Sequence, residues 1–194
     1  MSNTQYTVER LADRAQIHDA LYRWCRAVDR LDFEAIRTVF HPDAFDSHGM
    51  FEGGVDALID WLRDRHRTMP FAMHSISNML IEFADRDRAL VETYCLVAQR
   101  HSAEGAASLA AIAGKEAARS RPVDVLACAR YVDRFERRLG EWRIAHRTVV
   151  WDYVSMHEVP ESAPELSAKW TTGRRDADDF VFRARTEMGL ESSV

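Results

Sequence analysis

The sequence predicts an α+β fold in which N-terminal helices pack on a long, strongly curved antiparallel sheet. Three observations predict it. Apolar residues recur at helical spacing through residues 8–30, the period changes to two after Pro70, and Leu139-Gly140 punctuates two long alternating segments near the end. Helices first and strands afterwards, each with one apolar face, segregate the helices to one side of the sheet.

Taken in order, Thr7 can cap a helix from Val8 to about Arg30, with Ile17, Leu21, Trp24, Val28 and Leu31 on its apolar face. A second stripe beside it holds His18, Tyr22, Cys25 and Asp29. Asp32 is placed to cap a short helix from Phe33 to Phe40, ended by His41-Pro42-Asp43. Ala44 to Glu52 reads as a short strand entering a Gly53-Gly54 turn, and Val55 to about Arg67 as a third helix facing inward through Leu58, Ile59 and Leu62. Met73–Phe83 and Ala89–His101 form a hairpin across Asp85-Arg86-Asp87; Val123–Arg137 and Trp142–Met156 form a second one.

Between the hairpins, residues 102–122 are Ala-rich and permit a weak helix where a tight turn is the ordinary expectation. The segment is either disordered or passively packed, or it is a mobile lid over a site. Residues 1–156 then form one domain carrying this insertion. Residues 157–194 form a tail with one helix, near Arg174 to Met188, that packs on its own or a neighbouring subunit.

The bulk properties narrow the function. A chain of 194 residues suits one domain with a real core. A net charge of −5 argues against a nucleic-acid or membrane-surface partner, each of which calls for a basic face. Cys25, Cys95 and Cys128 lie far apart in apolar segments, so they read as reduced core thiols of a cytoplasmic protein. The N-terminus is polar, without the apolar run of a signal peptide, and no stretch is long and apolar enough to span a bilayer.

Few residues could do chemistry. Asp29 sits near the C-terminal end of the first helix, where the helix dipole disfavours a carboxylate by roughly several tenths of a kcal/mol. Either a backbone hydrogen bond in the turn or a functional partner must offset that. His74 lies within a strand, on one face with Ile76, Asn78 and Leu80. It is either a satisfied core residue or a base; a carboxylate on its second nitrogen fixes the tautomer that a base needs. Arg147 is in phase with Val149, Trp151 and Tyr153, and is either paired and structural or turned inward to bind an oxyanion or leaving group. His41, His48 and His101 are too scattered to argue for a metal, and no HExxH, phosphate loop or GxSxG is present.

The opening ADRAQIHDALYRWCRAVDRLDFEAIRTVFHPDA, the strand MHSISNMLIEF and the hairpin RYVDRFERRLGEWRIAHRTVVWDY together resemble the SnoaL-like branch of the nuclear transport factor 2-like superfamily, a cone-shaped α+β fold. The resemblance runs from about Leu11 to Tyr153. It is closest to cofactor-free lyases of the dehydrochlorinase, bile-acid dehydratase, scytalone dehydratase and diarylpropane lyase type. It implies a dyad of Asp29 and His74 with Arg147 as the pocket cation, working without a cofactor, in a homo-oligomer that is most often a trimer. Two positions depart from the family. Trp24 replaces a lysine or tyrosine five residues before the Asp, and the second acidic residue of the bile-acid enzyme falls near Val97 or Ala98.

The expected function is therefore a lyase. His74, polarised by Asp29, removes a proton from an apolar substrate, aromatic or polycyclic, which loses water, halide or a small aldehyde. Tyr22, Trp24, His48, Asn78, Tyr94, Tyr131 and Trp151 are the expected substrate-binding residues. A ketosteroid- or polyketide-type isomerase or cyclase using the same dyad is the second expectation, and a non-catalytic binding module the third.

Overall fold

The computed structural model describes residues 6–113 and 121–190. In chain order its elements are α1 (Val8–Arg30), α2 (Phe33–Val39), β1 (Phe40–Ser47), β2 (Glu52–Gly54), α3 (Val55–His66), β3 (Phe71–Phe83), β4 (Arg88–His101), a 3-10 turn at Ala103–Gly105, α4 (Ala106–Ala113), β5 (Val123–Arg138), β6 (Glu141–Glu158) and α5 (Phe180–Glu187). The strands form one six-stranded sheet in the order β2-β1-β6-β5-β4-β3. Its β1–β6 pair is parallel and the others are antiparallel. The sheet curves without closing, and α1, α2 and α3 share one core with it.

Local chemistry sets the boundaries. Thr7 Oγ accepts from the Arg10 N–H at 3.2 Å and starts α1. Leu31 ends it in the left-handed region at φ 56°. Asp32 caps α2, accepting from the Ala35 N–H at 3.1 Å. The strand expected from Ala44 instead begins at Phe40. His41-Pro42-Asp43 falls in an irregularity of the β1–β6 pairing between Phe40 and Phe45, which accommodates a proline with no N–H to donate. Leu139 and Gly140 both have positive φ, 53° and 86°, the two-residue turn whose twist suits a β-hairpin.

The core is the sandwich of helices and inner sheet face. Ile17, Leu21, Trp24 and Val28 from α1 and Leu58, Ile59 and Leu62 from α3 bury against Val91, Ala129, Tyr131, Phe135 and Ile144. One bulge changes the phase expected for β3. Asn78, at φ 24°, interrupts the pairing with β4 between Ser77 and Met79. Before it Ala72, His74 and Ile76 turn inward; after it Met79, Ile81 and Phe83 do. Asn78 and Leu80 are exposed and do not share the face of His74, because one extra residue reverses every later side chain.

In the insertion, Leu109 of α4 buries against Val123 and Val125, with Ile112 beside them. Residues 114–120 lie outside the described residues. The tail is tied to the domain by Asp179, which accepts from Arg30 Nε at 3.2 Å, and by Arg175, which reaches beneath α1. Among the described residues no helix is long and apolar enough to cross a membrane.

Candidate active site

The last turn of α1 and the start of β3 bring Asp29 and His74 together. Asp29 Oδ1 accepts from His74 Nδ1 at 2.7 Å, and Asp29 Oδ2 accepts from the His74 backbone N–H at 2.9 Å. Both side chains are about nine-tenths buried, with 9% and 10% exposure. A carboxylate can only accept, so Nδ1 carries the hydrogen and Nε2 is left with a lone pair. The dipole penalty at Asp29 is met from the tail. Arg175 donates to the carbonyl oxygens of Asp29 at 2.9 Å, Val28 at 3.1 Å and Met69 at 2.9 Å, covering the exposed end of the helix. Its Nη2 also donates to His66 Nδ1 at 2.8 Å.

His74 opens on an apolar cavity of about 40 Å³. Trp24, Val28, Trp61, Leu62, Val97, Ala129, Tyr131, Val149 and Trp151 supply its apolar wall; His48, Arg65, His66 and Gln99 are its other polar groups. A second space of about 190 Å³ adjoins it across His48, Met50 and Trp151, and is roofed by Ala111 and Ile112 of α4. The inner space holds only a few waters, so a ring-sized molecule must occupy the outer one or displace Met50.

A second carboxylate–histidine pair faces the same cavity. Asp46 lies on β1 and His48 just past its end, and His48 Nδ1 donates to Asp46 Oδ1 in a short contact. The carbonyl of His48 accepts from Trp151 Nε1 at 2.9 Å, which fixes the turn that carries the ring. The His48 ring lies between Trp24 and Trp61, at 6.3 Å and 5.6 Å.

The expected lining is partly assembled. Trp24, His48, Tyr131 and Trp151 border the cavity. Tyr22 does not; at 56% exposure it lies on the solvent side of α1, outside the buried arc of Ile17, Leu21, Trp24 and Val28. Asn78 sits in the bulge, and Tyr94 is on the outer sheet face at 47% exposure, between inward-facing Thr93 and Cys95. Arg147 turns inward but does not reach the cavity. Its Nε and Nη2 donate to Asp133 at 2.8 and 2.7 Å, and its guanidinium lies against Tyr131 and Trp24 at 4.1 and 4.7 Å from their ring centroids. The aromatic layer stands between Arg147 and the site.

Sequence reading missed Asp46, Arg65, His66 and Arg175. The first three carried a signal. Asp46 stands two residues before His48, and Arg65 and His66 continue the helical spacing of Leu58, Ile59 and Leu62. Burial first, then Arg175, holds the His66 imidazole well below its ordinary range. Behind it, His101 is fully buried with neither ring nitrogen bonded among the described residues; burial and then Arg65 and Arg175 pull its pKa from 6.5 to about 4. Between those values the unfolded chain binds a proton that the folded one refuses, so stability falls as pH drops through this window and levels off below about 4. Urea melts from neutral pH to pH 4 are expected to show a falling midpoint, and His101→Leu to flatten that slope. An unchanged slope in the variant would remove His101 as a source.

A family model described as a SnoaL-like domain matches residues 9–148. No curated protein matches the sequence. Among solved structures, the chain is similar to the hexachlorocyclohexane dehydrochlorinase LinA-type3 from Novosphingobium barchaimii, with 19% identity and a TM-score of 0.65 over 81% of this chain and 99% of that one. It is similar to a candidate scytalone dehydratase from Novosphingobium aromaticivorans, with 20% identity and a TM-score of 0.62 over 80% and 97% of the two chains. It is also similar to a variant of Rv3472, a protein of unknown function from Mycobacterium tuberculosis, with 20% identity and a TM-score of 0.58 over 94% and 90%. At these identities the likeness is one of fold, and that fold hosts more than one chemistry.

Proposed function

Because this chain belongs to the SnoaL-like domain family, we propose that it is a cofactor-independent lyase in which His74, oriented by Asp29, is the general base. The observation that supports this reading most directly is the two-point hold of Asp29 on His74 beside an otherwise largely apolar cavity. His74 Nε2 takes a proton from a C–H or O–H of the substrate. The freed electron pair forms the new double bond, and the bond to the leaving group breaks. The leaving group takes its proton from His48, whose imidazolium Asp46 stabilises. This places on His48 the work first expected of Arg147. Trp24, Trp61 and Trp151 supply flat apolar walls, which favour an aromatic or alicyclic body.

One observation favours a second reading. With two carboxylate-held histidines on one cavity, a proton removed by one can be returned to another carbon by the other, which is an isomerisation. Incubation in deuterium oxide with a panel of aromatic and alicyclic alcohols, halides and β,γ-unsaturated ketones separates the two. The lyase gives a product lacking the elements of water or hydrogen halide. The isomerase gives a product of unchanged composition with deuterium at the shifted carbon. In either case His74→Ala is expected to abolish turnover. Binding without any turnover across the panel would leave a non-catalytic binding module as the better account.

A further inference from the structure

The wall of the cavity contains a cation that has no carboxylate partner among the described residues. Arg65 is nine-tenths buried at the end of α3 and lines the same space as His74. Its Nη1 donates to the Ser108 carbonyl at 3.0 Å, and its guanidinium lies 5.5 Å from the Trp61 ring centroid. Among the described residues no carboxylate lies within ion-pair distance of it, and its other two guanidinium nitrogens have no hydrogen-bond partner. The other deeply buried arginine is held differently: Arg147 has Asp133. Arg137, nearer the surface, has Asp13 and Asp87. Burial draws the Arg65 pKa down to about 10, the sign of a desolvation that no nearby charge offsets. Burial and the nearby Arg65 and Arg175 guanidiniums push the pKa values of His66 and His101 down, so these two histidines are held neutral and offer Arg65 no competing charge of either sign.

We propose that Arg65 is an anion-binding residue and that the cavity takes a substrate carrying a carboxylate on an aromatic or alicyclic body. A guanidinium presents parallel N–H donors that match the two oxygens of a carboxylate, and in a dry site such a pair is stronger than its neutral counterpart. The apolar body then extends past Trp61 and Met50 into the outer space of about 190 Å³, which takes a ring where the inner space does not. The acid group on Arg65 and the reacting carbon near His74 are thereby held by one wall, which orients the substrate. This deepens the proposed lyase by naming its substrate class, and it rests on that reading for the identity of the site.

The test needs no turnover. Titration calorimetry of the full chain with 2-naphthoate and with 2-naphthamide compares ligands equal in shape and different in charge. The carboxylate is expected to bind roughly tenfold to a hundredfold more tightly. Arg65→Gln is expected to bind the two equally, and Arg65→Lys to keep part of the preference. His74→Ala is expected to keep all of it, so a failed lyase and a failed anion site give different results. Equal binding by the unaltered protein, binding of neither probe, or a preference that survives Arg65→Gln would each overturn the proposal. The ratio in the unaltered protein decides even if Arg65→Gln does not fold.

Discussion

Arg147→Met is expected to destabilise the protein by about 3–5 kcal/mol, a shift visible in any thermal or urea melt. Arg147 and Asp133 are directly opposite across β5 and β6, and neither side chain has any exposure. Burial works against the charge on Arg147, and the adjacent Asp133 carboxylate outweighs it, so the guanidinium titrates above its ordinary value. Removing the cation leaves Asp133 buried and unpaired. Burial already pushes the Asp133 carboxyl upward, with Arg147 the main opposing influence. In the variant that opposition is gone, and the folded state favours the protonated acid.

The sign follows from linkage. A carboxyl whose folded pKa lies above its unfolded value stabilises the fold at low pH and loses that contribution as pH rises through the folded value. The deficit of Arg147→Met relative to the unaltered protein is therefore expected to shrink on acidification. Asp133→Leu combined with Arg147→Met is expected to recover most of the loss, because a pair of apolar groups of similar volume leaves nothing unpaired. If the double variant is as unstable as the single one, the ion pair is not the cause. A loss of turnover in Arg147→Met without loss of stability would return this residue to the chemistry.

How much of this was legible depends on which spacing carried the information. The period of α1 and the alternation of β3 to β6 were read from single segments, and the elements lie where those periods change. Asp29 and His74 were found because each is an unfavourable residue for its local place, a carboxylate at a helix C-terminus and an imidazole in an apolar strand. The partner of Arg147 was hidden because Asp133 becomes its neighbour only through the register of β5 on β6, which bulges at two places shift. Asn78 and Leu80 were placed on the wrong face for a related reason: a bulge has no sequence signature of its own, yet it inverts everything after it. Arg65 and His66 were in phase with the apolar face of α3, but basic residues in a last helical turn are ordinarily read as dipole partners in solvent. Arg175 comes from a tail without periodicity, and nothing local marks it as the group that closes the end of α1.

Asp29→Asn is expected to lower turnover by about 10³–10⁴-fold while changing KM and stability little. Asp29 accepts two hydrogen bonds from one residue, the ring N–H and the backbone N–H of His74, at 2.7 and 2.9 Å. An amide has one accepting oxygen and one donating nitrogen, so it can accept only one of them. The backbone N–H cannot change its role, whereas the imidazole can shift its hydrogen from one nitrogen to the other. The amide oxygen therefore faces the backbone and the amide nitrogen faces the ring. That arrangement makes Nδ1 the acceptor and moves the hydrogen to Nε2, removing the lone pair that faces the substrate. The ring stays in position and the base is lost, which is why rate falls without binding or folding following it. The rate remaining in His74→Ala sets the floor, and Asp29→Asn is expected to lie near it, with near-ultraviolet dichroism unchanged. If Asp29→Asn keeps more than a tenth of the original rate, proton abstraction does not run through His74 Nε2, and His48, held by Asp46 on the other side of the cavity, becomes the base to test.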